Sequence, residues 1–238
     1  MMKDKKYLLL FFLGSCFLMI TFINGCDKTI VDPPAREEKS FIEDFDTVSN
    51  LYNKGWVFVN NSKPQGAATW QQGVYGLDKF GGIDGFPAYS YKASPDEYIF
   101  AGFASGNDLA TISSWMITPA IEMKNGDKFS FYTRTIAGNP FPDRMQVRMN
   151  LTDDSWEVGN TATTIGKFTT LVVDINPSYL TGSGGYPQAW KKYEFSISGL
   201  LAPLKRRIGF RYFVEMGGPL GANSNEIGID KFQFESLQ

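Results

Sequence analysis

The chain has 238 residues, a formal charge of -2, 15% aromatic residues and no histidine. A near-neutral, slightly acidic balance excludes a basic nucleic-acid-binding surface. The missing imidazole excludes Ser-His-Asp and Cys-His nucleophile systems and His-ligated zinc or iron.

The first stretch reads as a targeting signal. Lys3, Lys5 and Lys6 precede an almost wholly apolar run over residues 7–23. A basic start followed by a short apolar run is the secretory pattern. An uncleaved anchor is the alternative, because the run is at the lower limit for a membrane span. Ile23-Asn24-Gly25-Cys26 resembles the lipobox of bacterial lipoproteins, with Asn24 departing from the usual small or apolar residue. That resemblance implies a signal peptide over residues 1–25, lipidation of Cys26, and an outer-membrane lipoprotein, with the domain facing either the periplasm or the cell surface. Removing residues 1–25 takes away three lysines and one aspartate, so the charge moves from -2 to -4. It also takes away Cys16, and lipidation uses Cys26, so no thiol is left for a disulfide or a thiolate metal site. Residues 26–40, with Pro33-Pro34 and the charged run Arg36-Glu37-Glu38-Lys39, read as a flexible tether.

Residues 41–238 show no second linker, repeat or long helical period and read as one domain. Phe41-Ile42-Glu43-Asp44-Phe45-Asp46 opens it. Either Phe41 and Phe45 share the core face with Glu43 between them, or Ile42 faces inward and Glu43 is solvated. An inward Glu43 needs a cation or several donors. Residues 55–59 read as a short buried strand, and Trp70 follows a turn around Pro64. Residues 98–104 and 114–121 are apolar, and Pro119 marks a strand end or an edge. Asn125-Gly126-Asp127 signals a tight turn between neighbouring antiparallel strands. Residues 129–136 form the next strand. Met145, Val147, Met149 and Leu151 alternate with polar residues, which predicts a strand with one wet face. Trp156 stands in a polar loop. Residues 168–175 and 190–198 are further strands.

The closing block is the most informative. Ile208, Phe210, Tyr212 and Val214 alternate with Arg207, Gly209, Arg211 and Phe213, the period of a strand with one buried face. Beyond a Gly/Asn-rich loop, Ile227 and Ile229 fall on odd positions but Phe232 and Phe234 on even ones. The phase slips at Asp230-Lys231, which predicts a β-bulge that re-aims a side chain. Ten to twelve short strands punctuated by turns point to an all-β fold, an antiparallel β-sandwich or jelly roll.

The ordered set Phe41-Ile42-Glu43-Asp44-Phe45, Gly55-Trp56, residues 114–119, Phe129-Ser130-Phe131, residues 143–147, 168–176 and 186–200, and Gly228-Ile229-Asp230 resembles the choice-of-anchor J domain. That domain is a relative of cleaved adhesin domains. The resemblance implies a galactose-binding-like or lectin-like jelly roll and a non-enzymatic, adhesin-like role on an extracellular glycan or protein. It also implies a structural calcium between the first and last strands, with Glu43 and Asp230 as the matching carboxylates. Calcium takes hard oxygen ligands, backbone carbonyls included. Otherwise Asp230 pairs with an arginine such as Arg211 or caps a turn. Two other functions stay open: a carbohydrate-binding accessory of a polysaccharide-uptake system and, more remotely, a carboxylate hydrolase. Trp156 and Trp70 are the candidate sugar-stacking rings. Trp56, Trp115 and Trp190 lie in strand patterns and are expected in the core.

Overall fold

Almost every period-two run becomes a strand. The computed structural model describes residues 39–77 and 83–237; the signal segment, Cys26 and most of the tether lie outside the described residues. The sandwich belongs to the unit Glu37–Gln238. Its strands are β1 (Phe41–Glu43), β2 (Val57–Asn60), β3 (Lys63–Gln65), β4 (Gln71–Gln72), β5 (Tyr75–Leu77), β6 (Ile83–Gly85), β7 (Ile99–Gly102) and β8 (Gly106–Ile117). They continue with β9 (Ile121–Met123), β10 (Lys128–Thr135), β11 (Met145–Asn150), β12 (Thr170–Ile175), β13 (Lys191–Ser196), β14 (Leu204–Gly217) and β15 (Glu226–Glu235).

These strands make an antiparallel β-sandwich. The first sheet runs β13-β10-β15-β7-β4, with β1 also on β15. The second runs β12-β11-β14-β8-β2, with β3 on β8 and β9 on β14. The inner faces meet through aromatic rings. Phe210 of β14 stands edge-on to Phe131 of β10 at 5.0 Å and to Phe232 of β15 at 5.9 Å. Edge-to-face pairs of this kind add to the area they bury. The Asn125-Gly126-Asp127 turn is present, with Gly126 at φ 92°. It joins β9 to β10, which belong to different sheets, so it is a crossover corner and not a hairpin.

The slip in β15 is a bulge. Its ladder with β10 skips from Ser130↔Gln233 to Tyr132↔Asp230, and Lys231 has φ 49°. Ile227, Ile229, Phe232 and Phe234 all reach the core, and Asp230 is turned to the outer side.

Two strands expected to have a wet face do not. Arg211 and Phe213 of β14 and Gln146 of β11 are buried on the side away from the core. The segment between β11 and β12 covers Arg211, and Val158 and Phe168 join Trp115 and Ile117 in a second apolar cluster there. Phe213 packs under Arg144 and Arg211, and Gln146 donates to Asp174. Arg211 is locked beneath this cover. Its guanidinium lies 3.9 Å from the Phe213 ring and 5.1 Å from that of Trp115. It donates to Ser113 Oγ, Gln146 Oε1 and the Ala162 carbonyl. Burial lowers its pKa to about 9. Arg211 sits in the second sheet and Asp230 in the first, so the alternative pairing of these two does not occur.

Candidate functional site

Three connections gather at one end of the sandwich: residues 103–105 between β7 and β8, residues 136–144 between β10 and β11, and residues 218–225 between β14 and β15. A single buried carboxylate ties the second and third together, and Phe103 joins them by donating its backbone N–H to the Asn225 carbonyl (2.8 Å). Asp143 Oδ1 accepts from Tyr212 OH (2.6 Å) and from the backbone N–H of Asn225 (2.8 Å). Its Oδ2 accepts from Thr135 Oγ1 (2.6 Å) and Asn139 Nδ2 (2.9 Å). Asn225 Nδ2 donates in turn to Asn139 Oδ1. Desolvation raises the Asp143 pKa to about 6, opposed by these four donors.

Against this scaffold lies a hollow of about 300 Å³, walled by Phe103, Pro140, Phe141, Pro219, Ser224 and Asn225. The two phenyl rings are 44% and 45% exposed, although each is large and apolar. Pro219 is shared with a neighbouring hollow of about 540 Å³, walled by Gln65, Ala67, Ala104 and Asn107. Gly218, which lines the first hollow, has to be glycine. A Cβ on Gly218, at φ 86°, would meet the Asp108 carbonyl at 2.3 Å. Among the described residues, no charged side chain lines either hollow. A carboxylate pair for glycoside hydrolysis is therefore not found there. In a third hollow, of about 460 Å³, Glu43 and Glu122 do appear, and each is held by a lysine: Lys54 at 2.7 Å and Lys39 at 2.5 Å.

The tryptophans separate clearly. Trp156 is 52% exposed. Trp70 is 3% exposed and donates its indole N–H to the Ser114 carbonyl. This corrects the reading of Trp70 as a sugar-stacking ring: neither face is open, because the residue folds into the main core. Trp56 and Trp115 are buried, as their strand patterns indicated. Sequence reasoning missed Phe103, Phe141 and Asp143. Only a loop phenylalanine beside Pro140 signals any of them, and nothing local shows that the three loops converge.

Glu43 faces inward and is buried. It accepts from Lys54 Nζ (2.7 Å) and from the Phe45 N–H (3.2 Å). Asp230 accepts from the backbone N–H groups of Ser90 (2.9 Å) and Lys231 (2.6 Å), and burial raises its pKa to about 7. Both carboxylates thus have protein donors. The residues next to Glu43 do not have full sets. Asp44 and Asp46 each bury an Oδ1 without a partner, and their Oδ2 atoms face Lys92 Nζ at 3.6 and 2.8 Å. Among the described residues no three His, Cys, Asp or Glu side chains form a metal-holding group. Of the expected ligand pair, Glu43 is paired with Lys54, and Asp230 is held by backbone N–H groups. The oxygens with spare acceptor capacity are those of Asp44 and Asp46.

No family model matches the chain, and no curated protein matches it. Solved structures do. The K1 cleaved adhesin domain of Lys-gingipain from Porphyromonas gingivalis W83 aligns with a TM-score of 0.50 at 17% identity, over 84% of this chain and 99% of that one. The K2 cleaved adhesin domain of Lys-gingipain gives 0.50 at 16% identity over the same shares. A structure of carbohydrate-binding modules from the β-sandwich superfamily gives 0.44 at 8% identity, over 82% of this chain and 62% of that one. At these identities the likeness is one of architecture, and the chain has an adhesin-like β-sandwich fold.

Proposed function

We propose that the protein is a non-catalytic binding module that recognises an extracellular glycan in the groove between Phe103, Phe141 and Pro219. The observation that carries this is the pair of half-exposed phenyl rings in an uncharged hollow beside Asn225 and Ser224. Sugar rings present C–H faces to aromatic planes, and amide and hydroxyl groups fix their hydroxyls. Asp143 pre-organises the loops, which lowers the ordering cost of binding.

The proposal includes anchoring through a lipidated Cys26. β1 enters alongside the C-terminal end of β15, with Phe41 opposite Phe234, whereas the groove lies at the start of β15. At about 3.3 Å per residue, ten residues put the groove roughly 30 Å from the point where the tether joins. That arrangement suits a ligand approaching from the side away from the membrane.

A glycan array, followed by titration of the best hit, tests the site. Phe103→Ala and Phe141→Ala should each weaken binding at least tenfold, and Trp156→Ala should leave it unchanged. The reverse pattern moves the site to the Trp156 loop and refutes the groove.

A structural calcium remains part of the proposal, held by Asp44, Asp46 and backbone carbonyls, with Lys92 as the cation that otherwise offsets them. Millimolar calcium should then raise the melting temperature by several degrees over the EDTA-treated protein, as mass action requires of a ligand bound only by the folded state. Asp46→Asn should abolish the difference. Equal melting in calcium and EDTA excludes the metal.

A further inference from the structure

We infer that the groove takes an internal stretch of a neutral polysaccharide, and neither a chain end nor a uronate or sulfated polymer. This rests on the glycan reading above and adds the ligand's charge and its mode of entry.

The charge follows from what lines the groove. One charged residue in five is the average for this chain, yet both hollows are walled entirely by aromatic, aliphatic, amide, hydroxyl and glycine groups. Recognition of carboxylate or sulfate groups relies on arginine forks or lysines, which here do not reach the wall. The charge directly behind the wall has the opposite sign to the one needed. Among the described residues Asp143 has no cationic partner, and it accepts from the Asn225 backbone that forms part of the hollow. Bringing a carboxylate against this wall would desolvate it with nothing to compensate.

The mode of entry follows from the shape. The two hollows meet at Pro219, and Phe103 and Ala104, adjacent in sequence, lie one on each side of the junction. A trough crossing the end of the sandwich admits a chain lying along it. Gln65 and Asn107 offer amides on one side of the junction, and Ser224 and Asn225 offer polar groups on the other. A pocket for a terminal sugar would be closed at one end.

Affinity electrophoresis of the purified chain through gels containing galactomannan, hydroxyethyl cellulose, polygalacturonate or alginate tests both parts. We expect retardation by at least one neutral polymer and none by the two anionic ones. Phe141→Ala should remove the retardation, with its circular dichroism unchanged. A hexasaccharide of the retarding polymer should compete at least tenfold better than its monosaccharide. Asn107→Lys, at an exposed position, should create retardation by polygalacturonate. Retardation of the wild type by the anionic polymers alone, lost in Phe141→Ala, overturns this inference and leaves the groove as a glycan site. A monosaccharide competing as well as the hexasaccharide overturns the internal-stretch part. If no polymer of either charge is retarding, the glycan reading itself falls.

Discussion

Asp143→Ala should cost roughly 4 kcal/mol of stability, and it should weaken ligand binding at least tenfold in whatever protein remains folded. The energy comes from the donors that the substitution strands. Thr135 Oγ1 can turn to the Glu226 carbonyl, 2.7 Å away, and Asn139 Nδ2 still reaches the Phe141 carbonyl. Among the described residues, Tyr212 OH and the Asn225 N–H donate only to Asp143. Two buried donors left unsatisfied at ~1–3 kcal/mol each give that figure. Binding suffers because Asn225 and Phe141 are set by the same carboxylate. Urea denaturation combined with titration of the glycan found on the array measures both.

The same residue predicts an unusual pH profile. Its pKa is raised from 3.8 to about 6 in the folded chain. A group raised in this way favours the fold while protonated. Its contribution is complete below about pH 4 and is lost as the pH climbs through 6, a change of about 3 kcal/mol at ~1.4 kcal/mol per pKa unit. The hydrogen-bond geometry agrees. Thr135 has one hydroxyl proton but lies within reach of two acceptors, Asp143 Oδ2 and the Glu226 carbonyl. A proton on Asp143 lets it donate to Thr135, which then serves Glu226. Glu226 and Asp230, both raised to about 7 by burial, act in the same direction. Stability should therefore be higher at pH 5 than at pH 8. Asp143→Asn should flatten the part of the profile between pH 4 and 6, and an unchanged slope there would remove Asp143 from the explanation.

The second large effect belongs to the core. Phe232→Ala should destabilise the protein by about 3–5 kcal/mol, the usual range for deleting a buried phenylalanine. Phe232 sits among Phe41, Trp56, Phe129 and Phe210, with ring centroids 5.7 to 6.3 Å away. It joins the short β1 to the facing sheet, so its loss leaves a cavity that β1, only three residues long, cannot close. Phe232→Leu should recover more than half of the loss. A cost below about 1 kcal/mol for the alanine variant, read by chemical denaturation, would mean that β1 does not depend on this contact.

Much of this was legible in the sequence, for a reason that also sets the limit. Period-two alternation reports which side of a strand avoids water, so β10, β14 and β15 could be read from Phe129 to Phe234. The slip at Asp230-Lys231 could be read as a bulge because four apolar residues fixed the phase on either side of it. Removing Lys231 would leave an unbroken alternation from Ile227 to Phe234. The extra residue is therefore not needed for the alternation, and at the bulge Asp230 accepts from the N–H groups of Ser90 and of Lys231 itself. Alternation cannot report a cover supplied from elsewhere in the chain. The outer side of β14 looked wet because Ala162, whose carbonyl accepts from Arg211, lies in a polar loop with no period, and because alternation does not report that Phe168 packs against Gly209. Trp70 was misjudged for the same reason: its indole is closed in by Ser114, 44 residues away. The groove was the least legible part, since Phe103, Phe141 and Pro219 come together only when three separate strand pairs are in register.

The pairing of β1 with β15 also defines how the molecule would carry tension. Under the proposed lipid anchoring, a load between the tether and a ligand in the groove would enter at Lys39 and leave near Glu226, at opposite ends of β15. Force then runs along the strands, and the first junction it meets is the three residue pairs from Phe41↔Phe234 to Glu43↔Phe232. Those pairs must slip together and not open one at a time. The Phe41 ring contacts with Phe232 and Phe234 lie across that junction, and the Lys54–Glu43 ion pair ties β1 to the residues that follow it. The mechanical strength of the attachment would be set there, far from the surface that grips the ligand.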